Sequence, residues 1–600
     1  MKNTIKRLLL VGLAGLALGS TNTARAALYQ WSAKNGEPNR RIFLWIPEDC
    51  KRVRGIVLAM KNLSEIGITD DPAFREACRN QQVGILWVSE DYEAKGFAKS
   101  AFSSDWGWQG GLSDKDQEEY NRLRESLRKP DVLPEDKQEA REKLETWNRE
   151  LVDAAGPILD SILKLMADES GYEEIARAPL LFIGHSMSGL ICFHAPYRIP
   201  DRCWGSIPFK TGVRGAPEDI PADNMHGVPV MYVNQIAVEG PKGTSDPNNS
   251  CISIRKDTDN LICQLFDWGG HHLDTTHELA KIAALFIEKA GKYRLSDEIP
   301  ATGFPKLKDL KASDGWLATS ILEPEQYPMA PERAYTGPKD KAFWFFDKEM
   351  AKAVTNFEIE NRKKLPQYVT ATSDGNALEP LSGPFETIRV PIETAVDDGW
   401  SVKLKASLLD TVPSTDPAKR LPTGHAASGE AVVNLTASPK WVKLDNETFR
   451  YRQFNLGMHG HSWLAASHPG DEKYARACAP LFIWMPSDAR LGEPQTIDFP
   501  PIPDVPAGTK EIELNATSNI PDQVVEYYVV SGPAELAGNT PNKDGYYPEH
   551  TGNVLRFTPI PPNAKYPVKV IVGAYQKGRL KEPLVQSAPE VVQEFHILKP

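Results

Sequence analysis

Gly184-His185-Ser186-Met187-Ser188-Gly189 sets a serine in a run of small residues, directly after apolar Leu180-Leu181-Phe182-Ile183 and before Leu190-Ile191-Cys192-Phe193. A serine hydroxyl is a weak nucleophile until the chain exposes it and a base takes its proton. A sharp strand-to-helix turn does the first, and the N–H of the following residue then helps form an oxyanion hole. The residues two before and two after such a serine must be small. Gly184 and Ser188 hold those places, with serine where glycine is usual and Gly189 one step later. Taking Ser188 as the nucleophile would put Leu190 at the second position, which fits worse.

A base and an acid must follow. Trp268-Gly269-Gly270-His271-His272-Leu273-Asp274 lies after the apolar run 261–266 and before a helical pattern at 275–290. A histidine behind two glycines, just past the last strand, is placed to act as general base. The loop after 228–233 contains Glu239 as its first carboxylate, with Asp246 and Asp257 as alternatives. Such a group would fix the imidazole tautomer and stabilise the imidazolium. Two donors are needed for the developing oxyanion. The Met187 N–H is one, and an amide at Lys61 or Asn62, after the run 55–60, is the other.

The elements that must position these groups follow from the hydrophobic pattern. Apolar runs at 41–46, 55–60, 83–88, 180–183, 203–207, 228–233 and 261–266 read as buried strands, with helical patterns at 71–79 and 275–290. Strands alternating with helices predict an α/β domain with a largely parallel sheet. The domain is expected over 27–295, with a charged helical insertion at 113–148, broken near Pro130 and Pro134, that is either surface decoration or a cap. An irregular connector with one helix at 341–363 should occupy 296–385, and a β-rich domain 386–498. The proline-rich run 499–506 reads as a stiff linker, and 507–600 as an immunoglobulin-like β-sandwich.

Gly184-His185-Ser186-Met187 and Gly270-His271-His272, in this strand order, resemble the α/β-hydrolase superfamily in its esterase and dienelactone-hydrolase-like branches, over about residues 40–292. The resemblance implies a Ser–His–acid triad and an acyl-enzyme, with no cofactor. His272-Leu273-Asp274 resembles the His-Phe-Asp of related secreted hydrolases, which points to His272 over His271 as base. Secretion with appended β domains resembles bacterial enzymes that deacylate polysaccharides. The expected function is therefore a serine carboxylic ester hydrolase acting on a small-molecule or polysaccharide ester, an acylated carbohydrate being the expected substrate. A secreted peptidase of the same fold, or a non-catalytic hydrolase-fold protein that binds glycans, are the alternatives.

Net charge of −11 without clustered lysine and arginine argues against nucleic acid as a partner. Lys2, Lys6 and Arg7, an apolar run at 8–18 and Ala24-Arg25-Ala26 read as a signal peptide of residues 1–26. Export to a periplasm or beyond is the expectation, and no later segment is long and apolar enough to span a membrane. The seven cysteines form no CxxC pair, and Cys251 with Cys263 is one conceivable disulfide. The histidines at 459, 461 and 468 lack a second ligand cluster and read as surface residues, so no metal is assigned.

Overall fold

The computed structural model describes residues 29–34, 40–60, 65–90, 118–119, 122–123, 125–127, 129, 132–217, 219–235, 247–319, 327–362, 364–379, 387–435, 440–452, 461–486 and 488–600. The first half is built on one sheet of eight strands. These are β1 (Trp31–Lys34), β2 (Arg40–Trp45), β3 (Gly55–Met60), β4 (Val83–Glu90), β5 (Leu180–His185), β6 (Cys203–Phe209), β7 (Val230–Gln235) and β8 (Ile262–Asp267). Their order is β1-β2-β4-β3-β5-β6-β7-β8. Strands β3 to β8 run parallel, and β2 is antiparallel to both of its neighbours.

Every residue of β3, β5, β6, β7 and β8 is buried. Helices on both faces account for this: a strand covered on each side must be apolar at every position. One face packs on α1 (Ile66–Thr69), α2 (Pro72–Asn80) and α6 (His277–Arg294), through Phe74, Ala77, Leu279, Ile282 and Phe286. The other packs on α3 (Pro134–Ser170) and α4 (Gly189–Arg198), through Leu159, Leu163, Met166, Ile191 and Ala195. A further helix, α5 (Pro247–Arg255), precedes β8.

Two local expectations change. Pro134 does not break a helix but opens α3 at its first turn, where a missing N–H costs nothing. The charged stretch from 134 onward is thus the first half of a continuous helix whose second half packs on the sheet. The aromatic run Phe343-Trp344-Phe345-Phe346 does not begin a helix either. Ala342–Phe345 is a strand, as aromatic side chains favour, and the helix Lys348–Arg362 starts after it. Asp347 caps that helix by accepting from Met350 N at 3.0 Å. Phe346 packs on Phe286 and Tyr293 of α6, at ring distances of 5.6 Å each, so strand and helix extend the first core.

A second core, with Trp400, Trp441, Phe449, Leu464 and Leu481, lies among the sheets of the middle region. The last region has a four-stranded and a three-stranded sheet around Leu536, Leu555, Val570 and Phe595. The run 499–506 is not a free linker. Phe499 is buried in that last core, Val505–Pro506 pairs with Val591–Leu598, and Asp504 accepts from His596 N. The last region also docks on the first domain, through Ser32 Oγ to Ser531 Oγ (2.7 Å), Gly532 N to Tyr29 O (3.0 Å) and Lys565 N to Ser170 O, at the end of α3 (2.8 Å). Cys251 and Cys263 are both buried free thiols rather than a disulfide pair. No described helix is long and apolar enough to cross a membrane.

Candidate active site

Ser186 stands between β5 and α4, at the C-terminal edge of the parallel strands. Its φ is +54°, a left-handed value that serine adopts only when the surroundings impose it. Gly184 explains part of that constraint, because a Cβ there would lie 2.3 Å from the Ser188 carbonyl oxygen. Met187 follows Ser186 in the short 3₁₀ turn that leads into α4, so its N–H belongs to the N-terminal end of that helix.

Ser188, the departure from the usual pattern, is buried and its hydroxyl is used. Oγ donates to Glu65 Oε1 and lies 2.8 Å from the His185 carbonyl. The same Glu65 oxygen accepts from His185 N at 2.8 Å. Glu65 is only 1% exposed. A buried carboxylate therefore ties the turn together from beneath. Nothing in the sequence motif announces it, apart from its place shortly after β3.

The histidine loop sits against this turn. His185 Nε2 donates to the His272 carbonyl at 2.7 Å, which fixes its proton on that nitrogen. The His185 and His272 ring centroids lie 4.6 Å apart, with the rings tilted by 48°. Burial, and then the neighbouring His272, hold the His185 pKa well below the usual imidazole value. His185 is thus a neutral donor that positions the backbone of the expected base. His271 and His272 are both buried, and Leu273 N points at His271 Nδ1 at 3.4 Å.

The loop is anchored at both ends by charge. Asp267 ends β8 and Asp274 closes the loop. Lys210, next after β6 and fully buried, lies 2.8 Å from Asp267 Oδ2 and donates to the carbonyls of His271 (2.5 Å) and Asp274 (2.6 Å). Arg476, from the middle β-rich region, contacts Asp267 Oδ1 and reaches Asp274 Oδ2 at 3.1 Å. Burial raises the Asp274 pKa, but Arg476 and then Lys210 outweigh it and hold the carboxyl below its usual range.

The remaining expected residues are placed as follows. Glu239, Asp246 and Asn62 lie outside the described residues. Asp257 is half-exposed on the surface, where its Oδ2 pairs with His226 Nε2 at 2.7 Å. His459 and the side chain of His461 also lie outside the described set. His468 is not on the surface: it is buried, and its Nδ1 accepts from Gln367 Nε2 and Gly470 N. Among the described residues no group of three potential ligands could hold a metal ion.

The eight-stranded mixed sheet, with the serine on the corner after its fifth strand and histidines after its eighth, fits the α/β-hydrolase fold. No family model matches the chain, and no curated protein does. Among solved structures the chain is similar to the Bacillus cereus carboxylesterase, at 11% identity over 42% of this chain and 93% of that one, with a TM-score of 0.25. It is also similar to a phospholipase/carboxylesterase from Dyadobacter fermentans DSM 18053, at 13% identity over 43% of this chain and 98% of that one, with a TM-score of 0.23.

Proposed function

We propose that the chain is an ester-cleaving serine hydrolase. One observation carries this reading. Ser186 is held at positive φ on a strand-to-helix corner, and the loop bearing His271 and His272 packs on that corner through the bond from His185 to the His272 carbonyl. In this mechanism Ser186 Oγ attacks the ester carbonyl as His272 takes its proton. The tetrahedral oxyanion is received by the N–H groups of Met187 and Asn62. His272 then protonates the leaving alcohol, and water, activated by the same imidazole, hydrolyses the acyl-enzyme. Asp267 and Asp274 are committed to Lys210 and Arg476. The role of orienting the imidazole is assigned first to Glu239, the first carboxylate after β7, with Asp246 as the alternative.

The proposed substrate is an acylated carbohydrate, met after export and removal of residues 1–26. A fluorophosphonate probe tests the chemistry. The parent chain should label and Ser186→Ala should not; a parent chain that fails to label refutes the hydrolase reading and leaves a binding protein on a hydrolase scaffold. Variants Glu239→Ala, His271→Ala and His272→Ala then assign the triad, and full activity in Glu239→Ala would remove the acid from that position. Acetyl, feruloyl, methyl-ester and peptide substrates separate esterase from peptidase.

A further inference from the structure

We infer that Arg476 is a positioning residue for the histidine loop, so that the β-rich region completes the catalytic unit instead of forming a detachable binding module. The inference rests on the serine-hydrolase reading above. Asp267 and Asp274 bracket the segment that carries both histidines. Among the described residues, Arg476 is the cation that spans the bracket from outside the first domain, with Nη2 on Asp267 and Nη1 on Asp274 (3.1 Å). A guanidinium suits this task because its planar fork can hold two carboxylates at fixed separation, which a point-like ammonium cannot. Lys210 meets the other oxygen of each carboxylate, Asp267 Oδ2 at 2.8 Å and Asp274 Oδ1 at 3.8 Å, and holds the His271 carbonyl. Together they form a quartet of two cations and two anions, with Lys210 and Asp267 fully buried and the Arg476 side chain 17% exposed.

Backbone packing supports the same role. Gly269 has φ +70°, and a Cβ on it would fall 1.9 Å from the Arg476 carbonyl oxygen. A Cβ on Gly270 would fall 1.9 Å from Asp267 Oδ2. The two glycines before His271 are therefore needed because the Arg476 backbone and the carboxylate it binds fill the space beside them. Two residues on, in the strand Ala477–Trp484 that Arg476 leads into, the Cys478 thiol hydrogen-bonds Asp274, so the same segment touches the loop again. Without Arg476, two buried carboxylates would share Lys210 alone. Their repulsion would loosen both ends of the segment that sets the imidazole. A displacement of about 1 Å in catalytic geometry can cost on the order of 10²-fold in rate.

The test uses the full chain with Arg476→Gln, Arg476→Lys and Arg476→Ala, and p-nitrophenyl acetate as a substrate too small to need the β-rich region. Arg476→Gln should lower kcat about 10- to 100-fold with little change in KM. Amide exchange across 268–274 should speed up while that of β5 stays unchanged. Arg476→Lys should fall between, and added guanidinium should partly restore Arg476→Ala through the opening left by the partly exposed side chain. Wild-type kcat and unchanged exchange in Arg476→Gln would overturn the proposal. So would a loss confined to KM, which would make Arg476 a substrate contact. If the parent chain neither labels nor turns over, the hydrolase reading fails, while the exchange comparison still reports on the clamp.

Discussion

Glu65 offers the sharpest test of how the Ser186 turn is held. Its carboxylate accepts from His185 N at 2.8 Å and from Ser188 Oγ, and both contacts are buried. Glu65→Leu removes both. Ser188 keeps an alternative, since its Oγ already lies 2.8 Å from the His185 carbonyl. The His185 N–H loses the acceptor that Glu65 provides, and a buried donor left unsatisfied costs about 1–3 kcal/mol. Losing the hydroxyl bond adds about 1 kcal/mol. The turn should therefore be destabilised by roughly 2–4 kcal/mol, or about 30- to 1,000-fold in a local opening equilibrium at 1.36 kcal/mol per decade. Glu65→Gln retains an acceptor oxygen and should cost far less. Hydrogen exchange at the His185 amide reads the opening directly, and the rate of fluorophosphonate labelling at Ser186 reads its effect on the proposed nucleophile. Labelling should slow in step with the exchange change. If Glu65→Leu leaves both the His185 exchange rate and the labelling rate at their parent values, Glu65 does not hold the turn.

Gly184→Ala should abolish labelling and destabilise the first domain by about 3 kcal/mol, the upper range for overpacking, because the new methyl meets the backbone oxygen of Ser188; thermal unfolding and probe labelling check it. Lys210→Met leaves Asp267 and Asp274 with Arg476 alone and should cost about 3–5 kcal/mol, as for a broken buried ion pair. Because Asp274 is held below its usual pKa, that stabilisation is present above the unfolded carboxylate value near pH 4 and is lost as pH falls through the folded value; stability curves of parent and variant should converge only in acid. Lys577 lies over the rings of Trp400 (4.2 Å) and Tyr451 (4.3 Å), and burial lowers its pKa to about 7 against the opposing pull of Asp488, Glu590 and Glu526. The unfolded chain then binds the extra proton between about pH 7 and 10, so stability should rise with pH there by up to about 1.4 kcal/mol per unit, and Lys577→Met should flatten that rise.

The sheet was legible because strands covered on both faces must be apolar at every position, and β3, β5, β7 and β8 stand out as such runs. The places of Ser186 and the His271-His272 pair were legible for a different reason: tight turns demand small residues, and Gly184, Gly269 and Gly270 mark them. What holds those turns was not legible. Glu65 belongs to no motif and acts only because the chain brings it under a turn more than a hundred positions away. Arg476 is 202 residues from Asp274, a separation over which spacing carries no information. Glu358 shows the same limit on a helix. It is buried and accepts from Phe266 N at 3.0 Å, where the polarity of its side chain would place it facing water. Polar groups recruited by tertiary structure leave no periodic trace.

The serine at position 188 shows what the small-residue rule at this turn means physically. The rule concerns volume at particular contacts rather than letters in a string. A Cβ at 188 is tolerated because the side chain it carries leads to Glu65, whereas a Cβ at 189 would lie 2.6 Å from Thr211 Cγ2 and 3.1 Å from Thr211 Oγ1. The second glycine is thus displaced by one residue to where Thr211, just past β6, crowds the start of α4. This can be tested by a cycle. Gly189→Ala alone should be strongly destabilising, by about 1–3 kcal/mol. Thr211→Ala removes both of those atoms and leaves only its own Cβ, 3.0 Å from the added methyl, which calls for a shift of a few tenths of an ångström. The double variant should therefore recover most of the loss, with a coupling of about 1–2 kcal/mol in thermal or denaturant unfolding. Strict additivity of the two substitutions would mean that Thr211 does not impose the glycine, and that position 189 is small for another reason.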